Sequence, residues 1–166
     1  TLIVPSTVAL GIPLYKTFHL MKHHIRSSLL GTTIAVLINT TFTALLAKLF
    51  GMDFFLAISL FPKSVTTAMA VGIIDKMQGM TTVTLVVVVA TGILTSVLGP
   101  VVLKVLKIED HVAVGLALDG TGHAVGTGTA FKYGQVAGAM AGLAIGVTGL
   151  LYVFISPLIA ALILSN

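Results

Sequence analysis

The chain has 166 residues, 57% of them hydrophobic and 8% charged, with a mean hydropathy of +1.12 and a formal net charge of +4. Soluble domains carry about 25% charged residues, so this composition excludes an ordinary soluble enzyme and predicts an all-α integral membrane protein, a polytopic helical bundle. The absence of cysteine excludes disulfides, iron–sulfur clusters and thiolate chemistry.

In chain order, Thr1 to Tyr15 is apolar but carries Pro5 and Pro13, which predicts a kinked helix whose freed carbonyls Ser6 and Thr7 can satisfy. The chain begins without methionine inside a hydrophobic segment, so earlier helices are expected to precede it. Lys16, Lys22 and Arg26, with His19, His23 and His24, read as a basic loop facing the cytoplasm. Cations placed in short inter-helix segments carry topology and do not form a nucleic-acid surface. Leu29 to Leu49 is a regular span; at its midpoint Asn39, Thr40 and Thr41 read as packing groups that bond neighbouring helices.

Met52 to Leu60 offers only nine residues before Pro62, about 13 Å of helix and roughly half a bilayer. A second half-helix is expected to begin at Lys63-Ser64-Val65-Thr66-Thr67 and run to Asp75, its hydroxyls capping unpaired amides. Thr81 to Leu103 is another span. Asp110 to Leu118 is again short and apolar, and is followed by the glycine and threonine tract from Gly120 to Thr129. Val136 to Leu164 contains no charge and forms the last span. Irregular backbone at membrane depth survives only where protein or a water-filled cavity surrounds it, so both breaks point to a binding site.

The two breaks correspond. At an offset of 60, Ser64-Val65-Thr66-Thr67-Ala68-Met69-Ala70 meets Ala124-Val125-Gly126-Thr127-Gly128-Thr129-Ala130; at an offset of 57, Thr91-Gly92-Ile93-Leu94 meets Thr148-Gly149-Leu150-Leu151, and Pro100 meets Pro157. The chain therefore reads as one domain, residues 1–166, with internal repeat units at about 52–107 and 110–164. If the broken elements are re-entrant, six Lys/Arg fall on the side of the basic loop and two opposite, Lys63 excluded; if they cross, the split is five to three. The charge bias thus favours two re-entrant elements and an inverted repeat, with full crossing as the alternative.

A lysine at helix-centre depth costs about 2.5 to 3.5 kcal/mol on insertion scales, so Lys63 is expected to face a cavity. Helix amides at Ser64 to Thr66 would add donors and a positive dipole end, a combination suited to a carboxylate. The candidate substrate-binding residues are Lys63, Ser64, Thr66 and Thr67 at the first break and Gly122, His123, Gly126 and Thr127 at the second. The glycines would allow close backbone approach, and His123 would serve as a titratable donor. Two have a plainer alternative: Lys63 snorkelling to an interface, and His123 bonding a carbonyl freed at the break. Asp119 is expected to cap the second half-helix, with a proton-carrying role as its alternative. Gly134, Gly138, Gly142, Gly146 and Gly149 read as a close helix-packing face. With no Ser-His pair, paired aspartates or zinc-ligand spacing, no enzyme activity and no cofactor or metal is expected.

Three ordered stretches carry a family resemblance: Pro5-Ser6-Thr7-Val8-Ala9-Leu10-Gly11-Ile12-Pro13-Leu14-Tyr15-Lys16, Pro62-Lys63-Ser64-Val65-Thr66-Thr67, and Gly122-His123-Ala124-Val125-Gly126-Thr127 followed by Gly142-Leu143-Ala144. The chain resembles the LrgB/CidB family over essentially its whole length, with Gly122 standing where the family pattern implies Thr or Ala before the histidine. The resemblance implies a multi-pass protein of the bacterial inner (cytoplasmic) membrane. Members are described as antiholin-like or holin-like modulators of murein hydrolase export and autolysis, and plastid relatives as glycolate and glycerate transporters. It further implies homo-oligomers and a small holin-like partner of the LrgA/CidA type as candidate partners. Together with the residue reading it favours a carrier of small monocarboxylates (glycolate, glycerate, lactate or pyruvate class) working by alternating access, with an autolysis modulator as the alternative.

Overall fold

The computed structural model of the chain describes residues 18–164, with side chains from His24 onward; the expected kinked helix at Thr1 to Tyr15 and Lys16 lie outside the described residues. Helix α1 runs Phe18–Leu49. The stretch expected to be a basic loop is therefore helical from Phe18 on, because no glycine or proline between His19 and Arg26 interrupts a helix that polarity alone does not end. Thirty-two residues make about 48 Å of helix, longer than the hydrocarbon core, and the apolar portion is His24–Leu49. Its hydroxyls bond backward along the helix: Thr32 to the Ser28 carbonyl at 2.7 Å, Thr33 to Leu29 at 2.6 Å and Thr40 to Val36 at 2.7 Å. Such bonds let polar residues occupy a lipid-facing helix without unsatisfied groups. Thr40 thus bonds within its own helix; Asn39 is the residue of that trio whose side chain reaches other elements.

Asp53 caps the next element, its Oδ2 accepting from the Phe55 amide at 2.9 Å. Helix α2 is a six-residue piece, Phe54–Ser59, followed by a 3-10 turn over Phe61–Ser64 and helix α3 over Thr67–Met77. The second half-helix starts later than expected. Pro62 lacks an amide proton and departs from helical geometry (φ −79°, ψ 27°), and Val65 and Thr66 are extended, so Lys63 and Ser64 belong to the turn. The expected hydroxyl caps are absent: Thr66 makes no side-chain capping bond, and the Ser64 hydroxyl meets Asn39 instead. Phe54 and Ile58 line one hollow with Ile73, Lys76 and Met77; α2 and α3 lie side by side, and the element folds back as a hairpin. It is fastened to helix α4, Thr81–Val105, by bonds from the Met80 amide to Ser59 Oγ (2.7 Å) and from Thr84 Oγ1 to the Ser59 carbonyl (2.8 Å).

Helix α5, His111–Ala130, is capped by Asp110, whose Oδ1 accepts from the Ala113 amide at 2.8 Å. The ten-residue tract expected to be irregular is helical except at His123 (φ 43°, ψ −133°). Thr121, Thr127 and Thr129 bond to carbonyls four residues back at 2.9, 3.1 and 3.2 Å, which keeps both sides of the break helical. At His123 the chain reverses. Gly126 lies directly on the Leu118 carbonyl, although eight residues of unbroken helix would separate them by about 12 Å. Val114, Leu118 and Ala130 share one core cluster. This second element is also a hairpin, with His123 at its tip.

Helix α6, Gln135–Ile159, continues as a π-helical turn over Ala160–Leu164. Helices α1, α4 and α6 are the three long and apolar enough to cross a membrane among the described residues. Large side chains such as Leu30, Ile38 and Phe42 on α1, Val86, Ile93 and Val97 on α4, and Leu150, Phe154 and Leu158 on α6 are exposed; an apolar girdle of this extent is the surface lipid requires. Core packing places the hairpins against these spans. Val65, Ala70 and Ile73 of the first pack with Val36, Val88 and Tyr152, while the second packs through Val114 and Leu118 with Leu103, Ala137 and Ala141.

The glycine series on α6 does not form one packing face. A Cβ at Gly138 would strike the Phe131 ring and one at Gly149 the Met69 sulfur, whereas Gly142 and Gly146 have open space, and Gly134 sits before the helix at φ +123°. Gly142→Ala and Gly146→Ala are therefore expected to hold or raise thermal stability in detergent, by up to about 1 kcal/mol from reduced backbone freedom. Gly138→Ala should lower it, because the Phe131 ring stands in the way, whereas at Gly149 the obstructing atoms are the end of the flexible Met69 side chain and the change should be smaller. Equal losses at all four would contradict this division.

Candidate functional site: two polar centres inside the bundle

The first centre is built around Asn39, which α1 holds at mid-span. Lys63 Nζ donates to Asn39 Oδ1 at 2.5 Å and to Thr43 Oγ1, and Thr43 in turn donates to the Asn39 backbone carbonyl at 2.7 Å. The Asn39 amide nitrogen donates to Ser64 Oγ at 2.9 Å and to the Tyr152 hydroxyl. Because an ammonium can only donate, Lys63 fixes the Asn39 amide with its oxygen toward the lysine and its nitrogen toward Ser64 and Tyr152. Tyr152 is 0% exposed, and Ser64 and Thr43 are also buried. No carboxylate pairs with Lys63 among the described residues; its partners there are neutral oxygens. An ammonium has three N–H bonds to give, and Asn39 and Thr43 use two.

Replacing Tyr152 by Phe removes one acceptor from Asn39 and is expected to cost about 1 kcal/mol of stability, read as a lower melting temperature in detergent. An unchanged melting temperature would show that the hydroxyl contributes nothing to the network.

The second centre lies at the other hairpin. Asp119, 1% exposed, faces Thr127 Oγ1 at 3.5 Å from Oδ1 and Thr148 Oγ1 at 3.4 Å from Oδ2. It does not cap a half-helix as expected, since the break falls four residues later at His123 and the groups meeting its carboxyl are hydroxyls from the opposite arm and from α6. The His123 ring, 5% exposed, is held by its Nε2 against the Val88 carbonyl at 2.9 Å, while Nδ1 is buried without a partner. The plainer of its two alternatives named a carbonyl freed at the break; the carbonyl His123 meets is instead that of Val88, inside α4.

Of the eight candidate residues, Lys63 and Ser64 join the first centre and Thr127 and His123 the second. Thr67 is exposed and Thr66 half-buried, outside both sets of bonds. Gly122 packs against the Thr95 side chain of α4, where a Cβ would lie 2.6 Å from Cγ2, and Gly126 packs against Leu118 of its own element; the first lets the hairpin approach α4 and the second lets its two arms close on each other. The Val65 amide, expected as a ligand donor, bonds the Pro62 carbonyl at 3.3 Å. Asn39, Thr43, Tyr152, Asp119 and Thr148 complete the centres and were not among the candidates. Their signal in the sequence is a polar side chain inside an apolar span, which says that a partner exists and not which one. The two tips meet across α4, since Val65 packs with Val88 and the Val88 carbonyl holds His123. Helix α6 joins the centres from the other side, as Thr148 and Tyr152 stand one turn apart on one face.

The chain matches the model of the LrgB-like family over residues 1–162. It is 34% identical over 159 residues to the uncharacterized protein YxaC of Bacillus subtilis (strain 168), covering 96% of this chain and 69% of that protein. It is 37% identical over 136 residues to YwbG of the same organism, covering 82% and 60%. It is 30% identical over 154 residues to the antiholin-like protein LrgB of Bacillus mycoides (strain KBAB4), covering 93% and 67%. The chain thus spans between 60% and 69% of the length of these relatives. No solved structure matches it. A family match along nearly the entire chain, with three apolar spans around two helical hairpins, makes this chain a member of the LrgB-like family of membrane proteins.

Proposed function

We propose that this chain forms the core of a carrier for small monocarboxylates of the glycolate, glycerate, lactate or pyruvate class, in the bacterial cytoplasmic membrane with the basic start of α1 on the cytoplasmic side. The observation that carries the reading is the Lys63 ammonium, held inside the bundle by Asn39 and Thr43 without a carboxylate among the described residues. A cation kept within the hydrocarbon region calls for an anion, and a short carboxylate supplies one negative charge in a group of matching size. Ser64 and the Tyr152 hydroxyl beside it suit the hydroxyl or keto oxygen of a substituted acid. Two hairpins with their tips against α4 offer two bodies whose relative movement could expose the site alternately to each side. No covalent step is assigned.

The second reading takes its support from the relatives named antiholin-like protein LrgB: an oligomeric element, working with further copies or with a small holin-like partner, that modulates murein hydrolase export. Here the open positions Gly142 and Gly146 would be the places for a neighbouring helix. Uptake of a panel of short carboxylates into proteoliposomes separates the two. Saturable uptake with mutual competition among short monocarboxylates is expected. Leakage of a large dye with no saturable uptake would overturn the carrier in favour of the assembly.

A further inference from the structure

The Asp119 centre is not needed to bind an anion, and its oxygens are arranged for something else. A buried carboxylate that is kept charged by its surroundings accepts two or three short hydrogen bonds, and O–H···O bonds run at about 2.5 to 3.0 Å. Asp119 has none of that kind among the described residues. The hydroxyls that face it stand at 3.4 and 3.5 Å, and the single proton of Thr127 has a nearer acceptor in the His123 carbonyl at 3.1 Å. Among the described residues, the surrounding elements bring no neutralising side chain. From α4 come Thr95, against Gly122, and Gly99, against Leu118; from α1 come Leu116's neighbour Gly31 and Gly120's neighbour Ala35; α6 contributes Thr148. The His123 ring is engaged through Nε2 with Val88, and Lys63 is engaged by Asn39 and Thr43.

We infer that Asp119 Oδ1 and Oδ2, Thr127 Oγ1, Thr148 Oγ1 and the His123 carbonyl form a binding site for one sodium-sized monovalent cation. The donor set is entirely oxygen, the choice of hard cations and not of zinc or copper. The spacing fits the size. Oxygens about 2.4 Å from a cation, the range of calcium-sized ions, lie about 3.4 Å apart along an octahedral edge, and the two hydroxyls stand 3.5 and 3.4 Å from the carboxylate oxygens they face. The charge fits the valence: one carboxylate neutralises one positive charge, whereas a divalent ion would leave a net charge inside the bilayer. The break at His123 makes the site possible, because only a reversed chain brings residues 119, 123 and 127 together with α6. Discontinuous helices in transporters offer cations their carbonyls in this manner.

The site deepens the carrier reading by supplying the ion that would travel with the anion; coupled movement of ion and anion rests on that reading, and cation binding itself does not. Binding of radiolabelled sodium to the purified protein in detergent, without any carboxylate present, tests it alone. Saturable binding at about one ion per chain is expected, resistant to excess choline and competed weakly by potassium. Asp119→Asn should abolish it. Thr148→Val, a near-isosteric change that removes one ligand and keeps the fold, should weaken it by about tenfold or more. Lys63→Met should leave it intact, so loss of the anion site and loss of the cation site are told apart. Absence of saturable sodium binding by the unaltered protein overturns the inference, as does equal binding by Asp119→Asn. A melting temperature that responds to acid and not to sodium also overturns it, because Asp119 would then carry a proton.

Discussion

Lys63→Met is expected to abolish saturable carboxylate uptake while leaving a folded, membrane-inserted protein. Methionine keeps the unbranched length of the lysine stem and removes the charge, so packing around the turn is preserved. Two opposing terms act on stability. Asn39 Oδ1 and Thr43 Oγ1 lose their donor, at about 1 kcal/mol each, while the cost of holding an ammonium out of water disappears. The net change should stay within about 2 kcal/mol in either direction, small enough for the variant to be purified and reconstituted. Transport has no such compensation. A hydrogen bond between ions contributes up to about 3 kcal/mol, which corresponds to as much as about a hundredfold in affinity, and the first centre contains no second cation among the described residues. Lys63→Arg should recover little, because a planar guanidinium cannot occupy the place of a compact ammonium between Asn39 and Thr43. Uptake by Lys63→Met at the rate of the unaltered protein would remove Lys63 from the site.

What could be read from the sequence follows from the range over which each signal acts. The three spans depend on runs of about twenty apolar residues and were legible, as was the shortness of the segment before Pro62. The hairpins themselves were legible only as a slight charge bias between two topologies. The error at the start of α1 came from treating Lys22, His23, His24 and Arg26 as a loop because they are polar; nothing in those residue types stops a helix, and it extends through them. The irregular tract shrank to His123 because threonines that cap in water bond backward within a helix in lipid. Partners were the hardest to read. Asn39 meets a tyrosine 113 positions away and Asp119 a threonine 29 positions away, and no local pattern encodes such pairings. Lys63 could be identified alone because its cost in lipid is high enough to need a reason, whereas Asn39 and Tyr152 are cheap enough to pass as packing.

Gly126→Ala should be the most destabilising of the small substitutions, and its sign is the informative part. Within a helix, alanine ordinarily gains about 0.5 to 1 kcal/mol over glycine, as expected at Gly142 and Gly146. At Gly126 a Cβ would overlap the Leu118 carbonyl oxygen. The obstructing atom belongs to the backbone of the opposite arm, so no rotamer change can relieve the overlap. The arms must separate, and with them the 3.5 Å approach of Thr127 to Asp119 and the shared packing of Leu118 with Ala130. Overpacking costs 1 to 3 kcal/mol where side chains can adjust; with backbone on both sides, about 3 kcal/mol or more is expected. Gly115→Ala meets the same obstacle in the Ala137 carbonyl and should act similarly, by driving α5 from α6. Thermal denaturation in detergent measures both. If Gly126→Ala melts at or above the temperature of the unaltered protein, the chain does not reverse at His123, and the second element crosses the membrane instead of folding back.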